Sequence, residues 1–404
     1  SSTSWTLPAH ATLFTGLADT VHGCTDTDRR LPESVTTLAE RFAAAGYQTA
    51  GFFSGPYLHP AFGLAQGFAC YEDCTSCAAV TSAPVESWAM DPDLMRRSQA
   101  DVTSPRVYQA VKHWLDQRDG RPFFLFVHLF DPHYDFIPPA PYDRKFDPDY
   151  SGPITGKGFF FDPAINAGMP RRDLEHLLAL YDGEIAWTDE HVARIIADLR
   201  QAALLDQTVV AVTSDHGTEF FEHNDKGHRK TLFEEVIRVP LIVRYPRVLP
   251  AGRRIAAQTR AIDVAPTLLA LAGLPAPPAE LMGHPLVELA LGGRPDFDNT
   301  AVSELFAVGK RMRTMRRPDQ WKFYDIEHAQ RRYFLNLAED PRETQPKMAF
   351  DQGIGRELAV QYAELLKVLA QWRQRIAAQA SPTELPEEVR RKLESLGYIG
   401  QQKE

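Results

Sequence analysis

Asp215 and His216 stand side by side where the apolar run VVAVTS ends, and they offer one hard oxygen and one imidazole. That pairing suits a divalent cation such as Ca, Mg, Mn or Zn. The chain continues TEFFEHNDKGHRKTLFEE, which adds His223, Lys226, His228 and Lys230 in a loop ahead of PLIVRYP. Imidazoles and ammoniums beside a cation suit an anionic ester, because they can hold its oxygens or protonate a leaving alkoxide. The bland alternative is a charged surface loop. A second apolar run, FFLFVHLF, exits into Asp131-Pro132-His133, although a histidine in such a place is more often structural. Near the start, STSWTLPAHATLFTG sets Thr6 just before Pro8, so its hydroxyl is either the cap of a helix or a nucleophile. The proline predicts a loop over residues 6–10 and a helix wound from Ala9 to Leu17. Asp182 and Asp189 share one helical face two turns apart, and solvation explains them as well as paired acid chemistry would.

The elements that must position these groups alternate. Residues 34–47 carry helical spacing (Val35, Leu38, Phe42) ending at Gly46, and TAGFFSG then reads as a strand entering a turn. Val107 to Leu115 repeats the helical pattern ahead of Phe123 to Phe130, and Leu174 to Leu199 is a long amphipathic helix ahead of Val209 to Thr213. Strands apolar on both sides and alternating with helices imply an α/β fold with a mostly parallel sheet covered by helices. In such sheets ligands gather outside the carboxyl ends of the strands, where both carboxylate-histidine pairs fall. The texture changes beyond Pro246. IDVAPTLLALAGLPAP is a helix closing on Gly273, then SELFAV, RMRTMRR, WKFYDI and RRYFLNL predict a small antiparallel sheet, and two helices finish the chain. This divides it into residues 1–295, 296–345 and 346–404. Residues 138–170 are too many for a plain connection and are expected to form an ordered loop over the site.

Composition narrows the classes. The 404 residues are 44% hydrophobic and 24% charged, which is enough for a large core. A net charge of -9 gives no electrostatic reason to expect nucleic acid. No apolar stretch approaches the roughly 18 residues of a membrane span. The chain starts at Ser1 with no visible signal peptide, which reads as a processed or truncated product. Cys24 stands apart, whereas Cys70, Cys74 and Cys77 form C-x3-C-x2-C; disulfides, free thiols and a metal are all open for them.

Taken in order, TLPAHATLFTG (6–16), FLFVHLFDPHYDF (124–136), YDGEIAWTDEHV (181–192), TSDHGTEFFEH with the later GH and FEEVIRVPLIVRYP (213–246), IDVAPTLLALAGLP (262–275) and YFLNLAEDPRE (333–343) resemble the sulfatase family of the alkaline phosphatase superfamily. The resemblance spans nearly the whole chain. It implies an alkaline phosphatase-like sheet flanked by helices, a small C-terminal antiparallel sheet, and metal-assisted cleavage of sulfate or phosphate esters in a periplasmic or secreted protein. By that pattern Thr6 falls at the nucleophile, Asp215 and His216 at the metal pair together with Thr6, His133 at a substrate-binding histidine, and His228 where many members carry a lysine that contacts the ester. His10, Lys226 and Lys230 are the remaining substrate-binding candidates. One metal is expected.

Two departures from the pattern matter. Where the family has C/S-x-P-x-R, this chain has T-x-P-x-H. Thr6 cannot become formylglycine, because its carbinol carbon bears a methyl group, and an unmodified threonine is similar to the nucleophile of superfamily phosphodiesterases and phosphoethanolamine transferases. His10 replaces the arginine that anchors the nucleophile. The family also carries an N-terminal strand ending in Asp, which is expected to be missing here along with its place in the sheet. The leading expectation is a single-metal hydrolase or transferase acting on a small-molecule, glycan or lipid ester. The alternatives are a sulfatase working without formylglycine and an inactive anion-binding module.

Overall fold

The computed structural model describes residues 1–75, 103–294, 296–307, 309–376 and 386–395. Cys77 lies outside them; Cys24, Cys70 and Cys74 are free thiols. Among the described residues no helix is long and apolar enough to cross a membrane.

Three parallel strands carry the first half of the sheet: β1 (Gln48–Phe53) in the centre, β2 (Cys70–Asp73) on one side and β3 (Phe123–Val127) on the other. Alternate side chains of β3 explain why helices cover both faces. Phe123, Leu125 and Val127 pack with the helices Ser104–Gln117 and Arg171–Gln201, while Phe124 meets Leu38 and Phe42 of the helix Leu38–Ala44. That last helix starts on a full capping box, Thr37 with Glu40, a device that contributes about 1 kcal/mol.

The second half of the sheet is separate. Among the described residues β4 (Val210–Thr213) has no parallel neighbour; a short hairpin of β5 (Glu219–Phe220) and β6 (Lys226–Gly227) follows it, and its partner is the antiparallel β7 (Leu241–Arg244). The mostly parallel sheet is therefore present, among the described residues, as two pieces. All five residues of β3 are only half-buried, and Ile242 of β7 is 63% exposed.

The C-terminal sheet agrees with its prediction: β8 (Ala301–Ala307), β9 (Lys310–Arg316), β10 (Trp321–Ile326) and β11 (Arg331–Asn336) form an antiparallel meander. The largest apolar cluster runs across the boundaries at 295 and 345. It joins Trp5, Leu7 and Phe53 to Leu305, Tyr324 and Leu335 of this sheet and to Leu369 and Leu393 of the final helices.

Residues 131–170 are ordered. Tyr134, Phe136, Ile154, Phe159 and Ile165 build an apolar cluster with Leu177 and Leu180 of the long helix and Phe220 of the hairpin. Asp182 and Asp189 face solvent from that same helix, as the solvation reading expected.

Candidate active site

Thr6 is the first residue of a helix that runs to Thr15, three residues earlier than the proline had suggested. Pro8 is tolerated there because its missing N–H belongs to the first turn, where no carbonyl awaits it. Trp5 is the extended cap residue and no side chain caps the helix, so the Thr6 hydroxyl is left for other work. The segment before it is pinned from two sides. Ser2 carbonyl accepts from the Glu304 N–H of β8, and Ser4 carbonyl accepts from the Arg229 N–H, whose guanidinium lies 4.2 Å from the centre of the Trp5 ring.

Across from Thr6 stands the exit of β4. The His216 Nδ1–H donates to the Gly217 carbonyl at 2.9 Å, which fixes the tautomer and leaves an Nε2 lone pair 3.3 Å from Thr6 Oγ1. That nitrogen can accept the hydroxyl hydrogen or bind a cation. The turn carrying it needs Gly217, since a Cβ there would sit 2.1 Å from the Glu235 carbonyl oxygen. Asp215 Oδ2 is 3.4 Å from His216 Nε2 and 3.8 Å from His10 Nδ1. His10 is one helical turn beyond Thr6, and its Nδ1–H donates to the Thr6 carbonyl at 2.8 Å. Thus the imidazole that stands in the arginine position sits beneath the site, buried against Asp215.

His128 completes this group and is the residue that sequence reasoning missed. It follows directly on β3, its ring centre is 5.0 Å from that of His10, and its Nδ1 is buried with no hydrogen-bond partner among the described residues. His10, His128 and Asp215 offer ligand atoms that all lie within 4.8 Å of one another. A histidine in the middle of FFLFVHLF, with no polar neighbour to satisfy it, was the available signal.

The remaining candidates divide. His133 and His228 join the cluster from opposite loops, with ring centres 5.1 Å apart and His228 4.3 Å from His216. The His133 Nδ1–H is donated to the Tyr134 carbonyl. His228 follows Gly227, whose positive φ and contact with the Phe160 ring allow the hairpin to turn tightly under residues 131–170. Lys226 and Lys230 are held elsewhere on the hairpin: Lys226 Nζ donates to the Ile165 carbonyl at 2.6 Å, and Lys230 Nζ pairs with Asp225 at 2.5 Å.

Burial sets the charges. It pushes the imidazoles of His128 and His133 down to about 3 and lowers His10 and His228 as well, so these rings are neutral bases at neutral pH. For Asp215 burial works in the opposite direction, but the imidazoles of His216, His10 and His128 overcome it and hold the carboxyl well below its usual range. One ionised carboxylate among neutral imidazole lone pairs is a donor set that fits a divalent cation.

The family model described as Sulfatase matches residues 1–274, and one described as N-sulphoglucosamine sulphohydrolase, C-terminal, matches residues 222–355. Among curated relatives, the multifunctional alkaline phosphatase superfamily protein PehA of Trinickia caryophylli is 28% identical over 45% of this chain and 40% of its own length. Arylsulfatase K of Bos taurus is 29% identical over 43% of this chain and 33% of its own. The chain thus spans well under half the length of these relatives. Among solved structures, the phosphonate monoester hydrolase of Agrobacterium radiobacter superposes with a TM-score of 0.72 at 23% identity, covering 92% of this chain and 87% of that one. A protein solved in complex with its substrate D-glucosamine-2-N,6-O-disulfate superposes at 0.71 and 19%, covering 93% and 89%.

Proposed function

Because the chain belongs to the sulfatase family, we propose that it is a metal-dependent hydrolase or transferase of phosphate or sulfate esters in which Thr6 is the nucleophile. The observation that carries this reading is the approach of the Thr6 hydroxyl to His216 Nε2, 3.3 Å apart, beside ionised Asp215. Asp215 and His216 would hold one divalent cation next to Thr6 Oγ1, with His10 approaching the same Asp215 oxygen, Oδ2, and His128 within reach of both. Sulfatases as a family depend on such a cation. When bound it would lower the pKa of the hydroxyl and screen the negative charge of the ester.

The chain's own groups supply the rest. Thr6 Oγ1, stripped of its proton, attacks phosphorus or sulfur in line and displaces the alcohol, leaving the phosphoryl or sulfuryl group on threonine. The start of the helix favours the anion through its unpaired N–H groups and dipole. His133 and His228 stand beside His216; a neutral ring of this group that takes up the Thr6 proton can return it to the departing oxygen, which makes that oxygen a better leaving group. Water, or an acceptor alcohol, then cleaves the ester on Thr6. We place phosphate esters ahead of sulfate esters because the threonine methyl forbids the formylglycine aldehyde on which sulfatases of the usual kind rely.

The test is a panel of p-nitrophenyl phosphate, a phosphodiester, a phosphonate monoester and a sulfate, each with Ca, Mg, Mn and Zn, run on the chain and on Thr6→Val. Turnover that disappears in the variant, with a stable phospho- or sulfo-threonine trapped on quenching, supports the reading. Turnover surviving in Thr6→Val overturns it. Tight binding of the anions without turnover under any metal favours the inactive module instead.

A further inference from the structure

Behind the Asp215-His216 turn lies a second group of ligand atoms that the proposed chemistry does not use. His223 Nε2 is 3.3 Å from Glu235 Oε1, and His223, Glu235 and Glu343 offer ligand atoms within 4.8 Å of one another. Each comes from a different part of the chain: the hairpin turn after β5, the short helix Glu234–Ile237, and the loop beyond β11.

Each member is already set in place. The His223 ring stacks on Phe233 with centres 3.6 Å apart and planes 13° apart, and its backbone N–H is tied to Glu219. Glu343 is buried and oriented by the Glu234 N–H at 2.6 Å, the Tyr324 hydroxyl at 2.5 Å and Lys322 Nζ at 2.8 Å. Glu235 Oε1 is different. It is enclosed by protein and makes no well-aligned hydrogen bond among the described residues, although His223 Nε2 lies 3.3 Å away. A buried carboxylate oxygen in that condition is destabilising unless something satisfies it.

The local charge says what that something is. Lys322 is shared between Glu343 and Glu234, the latter at 2.9 Å, so it is spoken for. The other groups that face Glu235 are carboxylates, Glu343, Glu222 and Glu219, apart from the His223 imidazole. Burial and those carboxylates push Glu235 up to about 7 despite a backbone hydrogen bond. The place wants positive charge, and it presents one imidazole nitrogen and two carboxylates in a pre-formed arrangement.

We propose that His223, Glu235 and Glu343 form a second divalent-cation site, of the zinc or manganese class, which fastens the turn behind Asp215-His216 to the loop leaving the C-terminal sheet. One imidazole with two carboxylates is a donor set those ions accept. The cation satisfies Glu235 Oε1 and cross-links residues about 120 apart in the chain, a closure that stabilises chiefly by restricting the unfolded state. Because Gly217 N–H donates to the Val236 carbonyl at 2.9 Å, the fastened helix is the one on which the turn carrying His216 rests.

The experiment is zinc content by equilibrium dialysis and elemental analysis, on the chain stripped with chelator and returned to Zn²⁺. His223→Ala is expected to lose one equivalent that Asp215→Asn retains, and Glu235→Gln to weaken the same equivalent by at least about tenfold. Zinc held by cysteine thiolates stays constant across these variants and does not enter the difference. If His223→Ala and Glu235→Gln both keep the full zinc complement of the parent, the site does not exist. A second readout guards against a variant that folds poorly: Zn²⁺ should raise the melting temperature of Asp215→Asn and not of Asp215→Asn with Glu235→Gln. Equal rises in both overturn the proposal, whatever becomes of Thr6.

Discussion

The two clusters on either side of Gly217 are built from the same residue types in opposite proportions. In front, one carboxylate (Asp215) is surrounded by His10, His128 and His216; behind, one imidazole (His223) is surrounded by carboxylates. The front set keeps its carboxylate ionised and the imidazoles of His10 and His128 neutral, and it has a hydroxyl at 3.3 Å. The back set has one hydroxyl beside it, that of Tyr324, and this is spent as one of the three donors that lock Glu343. A nucleophile beside a cation does chemistry, whereas ligands that are all tied into the scaffold hold elements together. The lesson is that donor composition alone does not separate a catalytic from a structural centre; what stands next to the donors does.

The sharpest way to break the comparison is at Thr6. Thr6→Val keeps the shape and removes the hydroxyl, so turnover should fall by at least about 10³-fold while cation content is unchanged. Thr6→Ser should keep turnover within about tenfold, measured on the best ester of the panel. Loss of metal in the valine variant would mean that the hydroxyl serves as a ligand first. Next in size is Asp215→Asn, which should lose the front cation and about 10²-fold or more in turnover while retaining the back one, read from metal content and kcat together. A smaller effect is expected at His133 and His228. Substituting either by Gln should cost about 10–100-fold on an alkyl ester and less on a p-nitrophenyl ester, whose leaving group needs no proton. Equal losses on both esters would assign these imidazoles to binding rather than proton transfer.

How much of this was legible beforehand follows from how local each signal is. Helix and strand periodicity located the helices flanking β1 and β3, the long helix and the four-stranded meander, because each pattern reports a burial that repeats along the chain. Asp215-His216, Thr6, His133 and His228 were found because each falls at a strand exit or on a joint motif, and the structure brings all of them together with His10. Pro8 misplaced the start of the first helix, since the rule against helical proline lapses in the first turn. His128 stayed hidden because its run of apolar neighbours reads as strand, and only the end of β3 at Val127 turns it toward the site. The ammoniums of Lys226 and Lys230 could not be placed from sequence, as their partners Ile165 and Asp225 are chosen by the fold of the loop. The division of the sheet depends on pairings distant in sequence, which no local pattern encodes.

A third buried carboxyl extends the comparison to its limit. Glu184, on the long helix, is 5% exposed, with Asp131 and Asp135 as its charged neighbours and no imidazole or ammonium beside it among the described residues. Its Oε1 accepts from the Ile137 N–H at 2.7 Å, but Oε2 has no partner among the described residues. Burial therefore raises this carboxyl well above its ordinary value, with the two aspartates adding to the rise, whereas for Asp215 the neighbouring imidazoles outweigh burial. The folded chain keeps the proton at a pH where the unfolded chain has released it. Its contribution is thus fully present below the unfolded pKa near 4.5 and is lost as pH rises toward the folded value, about 1.4 kcal/mol for each pK unit between them. Glu184→Gln keeps an acceptor for Ile137 and cannot ionise, so its melting temperature should match that of the parent at pH 4.5 and exceed it by a few degrees at pH 8. A gap that is constant with pH would mean that Glu184 is ionised in the fold and finds a cation after all, which would place it with Asp215 rather than opposite to it.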